Sequence, residues 1–449
     1  MSLLGMKAPV WPGGIRQRRS TIVLSVMALV LTQAVISLYT GSSISGASVH
    51  VYLTIGAYDG SKNDTTTDFL LSGGVEGDTT PELDEPGDFE RDAQGTCDLY
   101  RGEWVFDSSG PLYTNNSCPV ITKSQNCQAN GRPDNGYENW RWKPEQCVLP
   151  RFDAKKFLEL MRGKTIAFVG DSIARNQMES LLCILWQVDI PINISPHGMQ
   201  KWIFRSTSTT IIRIWSSWLV HTTTQAVEFA PKGLDKVFVD IPDKTFMEFL
   251  PNFDVLVLSS GHWFSKRSAY ILNGNVVGGR LWWPPQAGKM QMNTAEVFGL
   301  SIETCLTAVA TNPDFKGIAV LRTYSPDHYE RGTWNANGSC TGKVKPLDEV
   351  VRNGFTDAMY EKQVAGFRKA VRNSGEHGSK LKLMDITEPF GLRVDGHPGP
   401  YRSTDPDKNT QRGPDGKPPP QDCLHWCMPG PIDTWNEILF ETIRRELPS

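Results

Sequence analysis

The chain lacks a dominant charge. Its 46 lysines and arginines nearly balance 49 aspartates and glutamates, leaving a net charge of −3. No basic stripe, zinc-type spacing or phosphate-loop glycine motif is present, which argues against nucleic acid and nucleotide as partners. No internal repeat is found, so a solenoid or propeller is excluded. A mean hydropathy of −0.33 excludes a multi-span membrane protein. Cysteine is absent before Cys97, although the chain holds nine. Long apolar runs are absent too, with one exception near the N-terminus.

That exception, Thr21 to Tyr39, is almost uninterruptedly apolar and about long enough to cross a bilayer as a helix. Lys7, Arg16, Arg18 and Arg19 precede it, which keeps the short N-terminus cytoplasmic. The expectation is a signal anchor over 21–40 with a cytoplasmic tail over 1–20. A cleaved signal peptide is the competing reading, but its apolar region is usually shorter. All nine cysteines then fall on the lumenal side, where disulfides persist. Four glycosylation sequons, at Asn63, Asn115, Asn193 and Asn337, fit the same route.

Residues 41–95 are rich in Gly, Ser, Thr and Asp, and Asp78 to Asp92 is strongly acidic. Such a stretch buries too little apolar area to fold alone. It reads as a flexible stem, with an acidic interaction tail as the alternative. Residues 96–152, rich in Cys, Trp, Asn and Pro, read as a loop-rich, disulfide-stapled subdomain. Residues 153–449 form the candidate catalytic domain. There, strand candidates Ile166–Val169, Val255–Leu258, Ile318–Leu321 and Leu381–Ile386 alternate with helix candidates Ala295–Ala310, Thr356–Asn373 and Thr434–Leu447. This alternation predicts an α/β fold with a parallel sheet and helices on both faces. Catalytic groups belong at the carboxyl ends of such strands.

Two short motifs carry the chemistry. Lys164–Val169 reads as a buried strand and Ile173 to about Trp186 as a helix, so Gly170-Asp171-Ser172 forms the turn between them. Free N–H groups at a helix start stabilise an oxyanion, and glycine relaxes the backbone of a sharp turn. Plain helix capping is the other role these residues suit. Near the C-terminus, Asp422-Cys423-Leu424-His425-Trp426-Cys427 sets a carboxylate and an imidazole one turn apart. Asp422 can hold one ring nitrogen and leave the other for Ser172, completing a serine–histidine–aspartate arrangement. In the competing reading His425 and Trp426 are core residues of a disulfide knot.

These residues also carry a family resemblance. Gly170-Asp171-Ser172-Ile173-Ala174-Arg175-Asn176-Gln177 and the segment from Asp422 to Gly430 closely resemble the plant trichome-birefringence-like proteins. Three further blocks agree: Cys97-Asp98-Leu99-Tyr100-x-Gly102-x-Trp104-Val105, Trp140-Arg141-Trp142-x-Pro144 and Arg322-Thr323-Tyr324-Ser325-Pro326. The resemblance runs from about residue 95 to the end. Ser259-Ser260-Gly261-His262-Trp263-Phe264 resembles another block of the family, with Ser259 and Phe264 standing where asparagine and tryptophan are common.

The resemblance implies a Golgi polysaccharide O-acetyltransferase related to GDSL/SGNH esterases, with a three-layer α/β/α catalytic domain of PC-esterase type. It assigns the triad to Ser172, Asp422 and His425. It implies the disulfides Cys97–Cys147, Cys118–Cys183, Cys127–Cys427 and Cys340–Cys423, leaving Cys305 free. No bound cofactor is expected. The partners are an acetyl donor and a cell-wall polysaccharide acceptor, with xylan as the first expectation. An acetylesterase using the same triad, or a non-catalytic wall-polymer binding protein, are the alternatives.

Other residues are weighed for substrate contact. Arg175, Asn176, Gly261, His262 and Trp263 are the candidates. His262 and His328 are rival bases, but neither has a carboxylate at the spacing that Asp422 gives His425. The backbone N–H of Gly261 suits an oxyanion or simply a turn. Arg175 suits an acidic or hydroxyl-rich substrate, or an ion pair with Glu179 at i+4. Among 14 tryptophans, Trp263, Trp282 and Trp283 are candidates to line a sugar-binding groove, with core packing as the alternative.

Overall fold

The computed structural model describes residues 98–447, other than 197, 228, 285–287 and 406–420. The anchor over 21–40, the stem, Asn63 and Cys97 lie outside the described residues. No helix among the described residues is long and apolar enough to cross a membrane.

Thirteen strands occur among the described residues. They are β1 Gly102–Phe106, β2 Trp140–Pro144, β3 Thr165–Gly170, β4 Ile192–Asn193, β5 Met199–Phe204, β6 Thr209–Trp215, β7 Val220–Thr223, β8 Asp235–Pro242, β9 Val255–Ser259, β10 Ser268–Leu272, β11 Asn275–Arg280, β12 Ile318–Arg322 and β13 Leu381–Met384. A seven-stranded sheet in the order β13-β12-β9-β3-β6-β5-β4 forms the centre. Its first five strands are mutually parallel, and the β5 and β4 edge is antiparallel.

Both faces of this sheet are covered, which is why its strands read as near-continuous apolar runs. Ile166 and Phe168 of β3, Val255 and Val257 of β9, and Val320 of β12 share one core with the helices Ala154–Leu160, Ser172–Trp186 and Ile432–Glu446. The alternate residues Ala167, Val169, Leu256, Leu258, Ala319 and Leu321 share the other core with the helices Thr294–Thr311 and Gly354–Asn373. The expected α/β/α layering is therefore present, and each expected strand and helix is found within a few residues of its predicted bounds.

A second sheet, of order β11-β10-β8-β7, was not expected. Its β10–β11 hairpin closes on Asn273-Gly274, both at positive φ (51° and 76°). This turn type suits Asn-Gly and matches the twist of the flanking strands.

The cysteine-rich region contributes the β1–β2 ladder and is fastened to the catalytic layer by side chains and disulfides. The Trp104 indole N–H donates to the Pro389 carbonyl at 2.8 Å, and the Tyr113 hydroxyl to Asp433 at 2.8 Å. Disulfides join Cys118 to Cys183, Cys127 to Cys427 and Cys340 to Cys423. Cys147 is also disulfide-bonded, and Cys305 is free and buried. Of the sequon asparagines, Asn193 and Asn337 are exposed and Asn115 is half-buried.

Candidate active site

The sharp turn after β3 is built by glycine. Gly170 has φ 157°, and a Cβ there would stand 2.1 Å from the Ser259 carbonyl oxygen on neighbouring β9. Asp171 caps the next helix by accepting the Ile173 N–H at 2.9 Å. Ser172 is thus the first residue of that helix, at the carboxyl end of the central parallel sheet. Its hydroxyl is not spent on the cap.

The base arrives from the far end of the chain. His425 Nε2 lies 2.8 Å from Ser172 Oγ, and His425 Nδ1 lies 2.8 Å from Asp422 Oδ2. An ionised carboxylate only accepts, so Nδ1 carries the proton and Nε2 is left to accept from the serine hydroxyl. Asp422 Oδ1 also accepts the backbone N–H groups of His425 (3.0 Å) and Leu424 (3.2 Å). Burial opposes both charges. It pushes His425 down, but the Asp422 charge and hydrogen bond outweigh it and leave the imidazole above its ordinary pKa. Burial raises Asp422, but the His425 charge and these hydrogen bonds hold it well below the usual carboxylate range.

The loop carrying the base is fixed on several sides. Cys423 and Cys427, on either side of His425, are bonded to Cys340 and Cys127. His397 Nδ1 lies 2.8 Å from the His425 carbonyl, to which it donates. Asn176 is fully buried and holds Trp426 from both ends. Its Oδ1 accepts the Trp426 N–H at 2.9 Å, and its Nδ2 donates to the Trp426 carbonyl at 3.3 Å. Asn176 is therefore a positioning residue rather than a substrate contact. Asn176→Ala is expected to lower stability by roughly 1–3 kcal/mol, because it strands buried backbone groups. It should lower activity per folded molecule further, by about tenfold or more, because small displacements of a base are costly. Denaturant midpoints and rates per folded molecule check this, and an activity loss explained by unfolding alone would contradict it.

The other expected contacts divide. His262 is not placed to serve Ser172. Its Nε2 bonds the Ser325 carbonyl at 2.9 Å, its ring stacks on Tyr324 at 4.4 Å, and its Nδ1 faces Asp171 at 3.9 Å. Burial pushes its pKa down to about 4, so it is neutral and structural. Gly261 is required by packing: it has φ 129°, and a Cβ would lie 2.6 Å from the Tyr324 ring. Arg175 makes the i+4 ion pair with Glu179 at 3.6 Å while staying 28% exposed. His328 is half-buried and lies between His397 Nε2 and the Gly391 carbonyl.

Trp263 is half-buried, edge-to-face with Trp215 at 5.3 Å, with Lys266 Nζ 3.0 Å from its ring centre. Trp282 packs on Ala230, Leu234 and Ala269, and Trp283 donates to the Gly288 carbonyl. Trp215 was not singled out from the sequence. The alternation in Thr209-Thr210-Ile211-Ile212-Arg213-Ile214-Trp215 was the available signal, since a strand ending there places its last residue beside the nucleophile turn.

Two family models match the chain. The PMR5 N terminal domain covers residues 95–148. The GDSL/SGNH-like acyl-esterase family found in Pmr5 and Cas1p covers 149–442. Among similar proteins, trichome birefringence-like 18 of Arabidopsis thaliana is 59% identical over 376 residues, spanning 82% of this chain and 70% of the relative. Protein YLS7 of the same plant is 63% identical over 354 residues, spanning 78% and 71%. Xyloglucan O-acetyltransferase 1, also from Arabidopsis thaliana, is 37% identical over 401 residues, spanning 86% and 89%.

Proposed function

Because the chain belongs to the trichome birefringence-like family, we propose that it transfers acetyl groups to hydroxyls of a plant cell-wall polysaccharide, with xylan as the first acceptor. The supporting observation is the unbroken line of hydrogen bonds from Asp422 through His425 to Ser172 at the end of β3. Xyloglucan is the acceptor named for two relatives and belongs beside xylan in any test.

The chemistry is a double displacement. Ser172 Oγ loses its proton to His425 Nε2 and attacks the carbonyl carbon of an acetyl ester or thioester. Asp422 stabilises the imidazolium. This reading assigns the oxyanion to free N–H groups at the start of the Ser172 helix, with the Gly261 N–H as a further donor. The leaving group departs with the proton from His425, and an acetyl-serine remains. A sugar hydroxyl then gives its proton to His425, its oxygen takes the acetyl carbon, and Ser172 Oγ recovers the proton. The required partners are a donor and an acceptor, with no bound cofactor. Water is the competing acceptor, and its success would make the protein an esterase.

The same reading sets catalysis in the Golgi lumen, with residues 21–40 as a type II anchor and 41–95 as a stem. The disulfides and the exposed sequon asparagines support it. The test is the full-length protein given 4-nitrophenyl acetate and a panel of xylo- and xyloglucan oligosaccharides, read by mass spectrometry. The expected result is acetylated oligosaccharide in excess of free acetate formed by hydrolysis. Hydrolysis unaffected by any oligosaccharide would overturn the transferase reading in favour of an esterase.

A further inference from the structure

The strands on either side of the nucleophile strand reach across its end. β6 and β9 flank β3 in the sheet, and Gly170 pairs with Trp215 on one side and Ser259 on the other. Trp215 ends β6, and Trp263 lies just beyond β9. Their rings meet edge-to-face at 5.3 Å, so the aromatic pair bridges the end of β3, where the chain turns into Ser172. The Ser216 N–H donates to the Gly170 carbonyl at 3.0 Å, and Ser260 Oγ donates to the Ser217 carbonyl at 2.7 Å. The segment after β6 is thereby bonded to the nucleophile turn itself and to the segment that follows β9.

That segment opens onto a cleft of about 370 Å³, within the ~300–1,000 Å³ usual for small-ligand sites. Trp215 forms one wall and is 38% exposed, with the Arg213 guanidinium 5.1 Å from its ring centre. Ser216, Ser217, His221 and Thr222 are among its polar lining residues, and Trp218 also lines it. Asp243 is occupied by Ser216 Oγ at 2.6 Å and by Thr245. The cleft is rigid. Leu219, fully buried, is held at φ 61°, a strained value for a residue with a side chain. Trp218 beneath it packs on Phe264 at 4.6 Å.

An apolar indole face beside a hydroxyl-lined hollow matches a sugar ring, which offers C–H faces and a rim of hydroxyls. The geometry points to this cleft as the acceptor subsite, in which Trp215 stacks on one pyranose ring of the polysaccharide next to the acetylated one. This rests on the acetyl-transfer reading for the identity of the chain bound. Trp263 braces Trp215 by its edge-to-face contact and carries Lys266 over its own ring.

The test compares Trp215→Ala and Trp215→Phe with wild type, all full-length. The release of 4-nitrophenolate and the acetylation of Ser172 by 4-nitrophenyl acetate alone should stay within about twofold, while the KM for a xylo- or xyloglucan oligosaccharide rises about tenfold or more in Trp215→Ala. Trp215→Phe should recover most of that loss. Equal losses in Ser172 acetylation and in KM would mean a merely structural Trp215 and overturn the proposal, as would an unchanged KM. Calorimetric binding of the same oligosaccharides to Ser172→Ala protein, with and without Trp215, separates this from failure of the transferase reading. Binding lost with Trp215 supports the subsite even where no transfer occurs, and absence of binding by every oligosaccharide overturns it.

Discussion

Ser172→Ala is expected to lower acetyl transfer by roughly 10⁶-fold and to leave the fold intact. The loss is that large because the nucleophile and its base act as one unit, so removing either removes nearly all the benefit of both. The fold should survive because the helix cap is Asp171, and among the described residues the Ser172 hydroxyl bonds His425. Intact-mass spectrometry with 4-nitrophenyl acetate should show one acetyl group on the wild type, mapped by peptide analysis to Ser172, and none on the variant. Circular dichroism should be unchanged. Acetylation at another residue, or retained activity in the variant, would remove Ser172 from the mechanism.

Asp422→Asn is the second large effect, and it separates charge and tautomer from position. The amide oxygen can still accept the backbone N–H groups that Asp422 Oδ1 holds, so the loop keeps its course. The amide nitrogen, however, presents a donor to His425 Nδ1. The ring then carries its proton on Nε2, facing Ser172, and cannot accept the serine proton. A loss on the order of 10⁴-fold is expected. The pH profile adds a sign. In the proposed mechanism neutral His425 is the active form, so wild-type activity should fall as pH drops through a pKa lying above the ordinary value near 6.5. With Asp422 uncharged, burial prevails and the acid limb should move to lower pH. Rates across a pH series would show a low plateau with a shifted limb. A plateau within tenfold of wild type, or an unmoved limb, would refute the assigned role.

Both motifs of the triad are readable in the sequence because each is local. Gly170-Asp171-Ser172 follows a strand with an unmistakable apolar run, and Asp422 lies one turn from His425. Their meeting is not readable locally, since it depends on the order of strands in a sheet. Four of the five parallel strands, β3, β9, β12 and β13, are legible as short apolar runs, and β6, which mixes threonine and arginine with isoleucine, is not. The second sheet escaped notice because its strands mix polar and apolar residues, although Asn273-Gly274 marked one hairpin. Asn176 and His262 are ambiguous in the sequence for one reason. A polar side chain near a nucleophile looks the same in sequence whether it faces the cleft or satisfies buried backbone, and only packing decides. Trp215 was passed over because the strand that presents it was passed over.

The wide spacing between nucleophile and base has a consequence for biosynthesis. Ser172 and His425 are 253 residues apart, so at ~5–20 residues per second about 13–50 s of translation separate them. During that interval the nascent chain holds a serine at its turn with no partner to activate it. Cys127 waits longer still, 300 residues, for Cys427. Until then its thiol stands among other early cysteines, Cys118 and Cys147, to which it must not remain joined. The oxidative step that closes Cys127 onto Cys427 therefore belongs after synthesis of the catalytic segment, and the same closure that completes the covalent framework arms the serine.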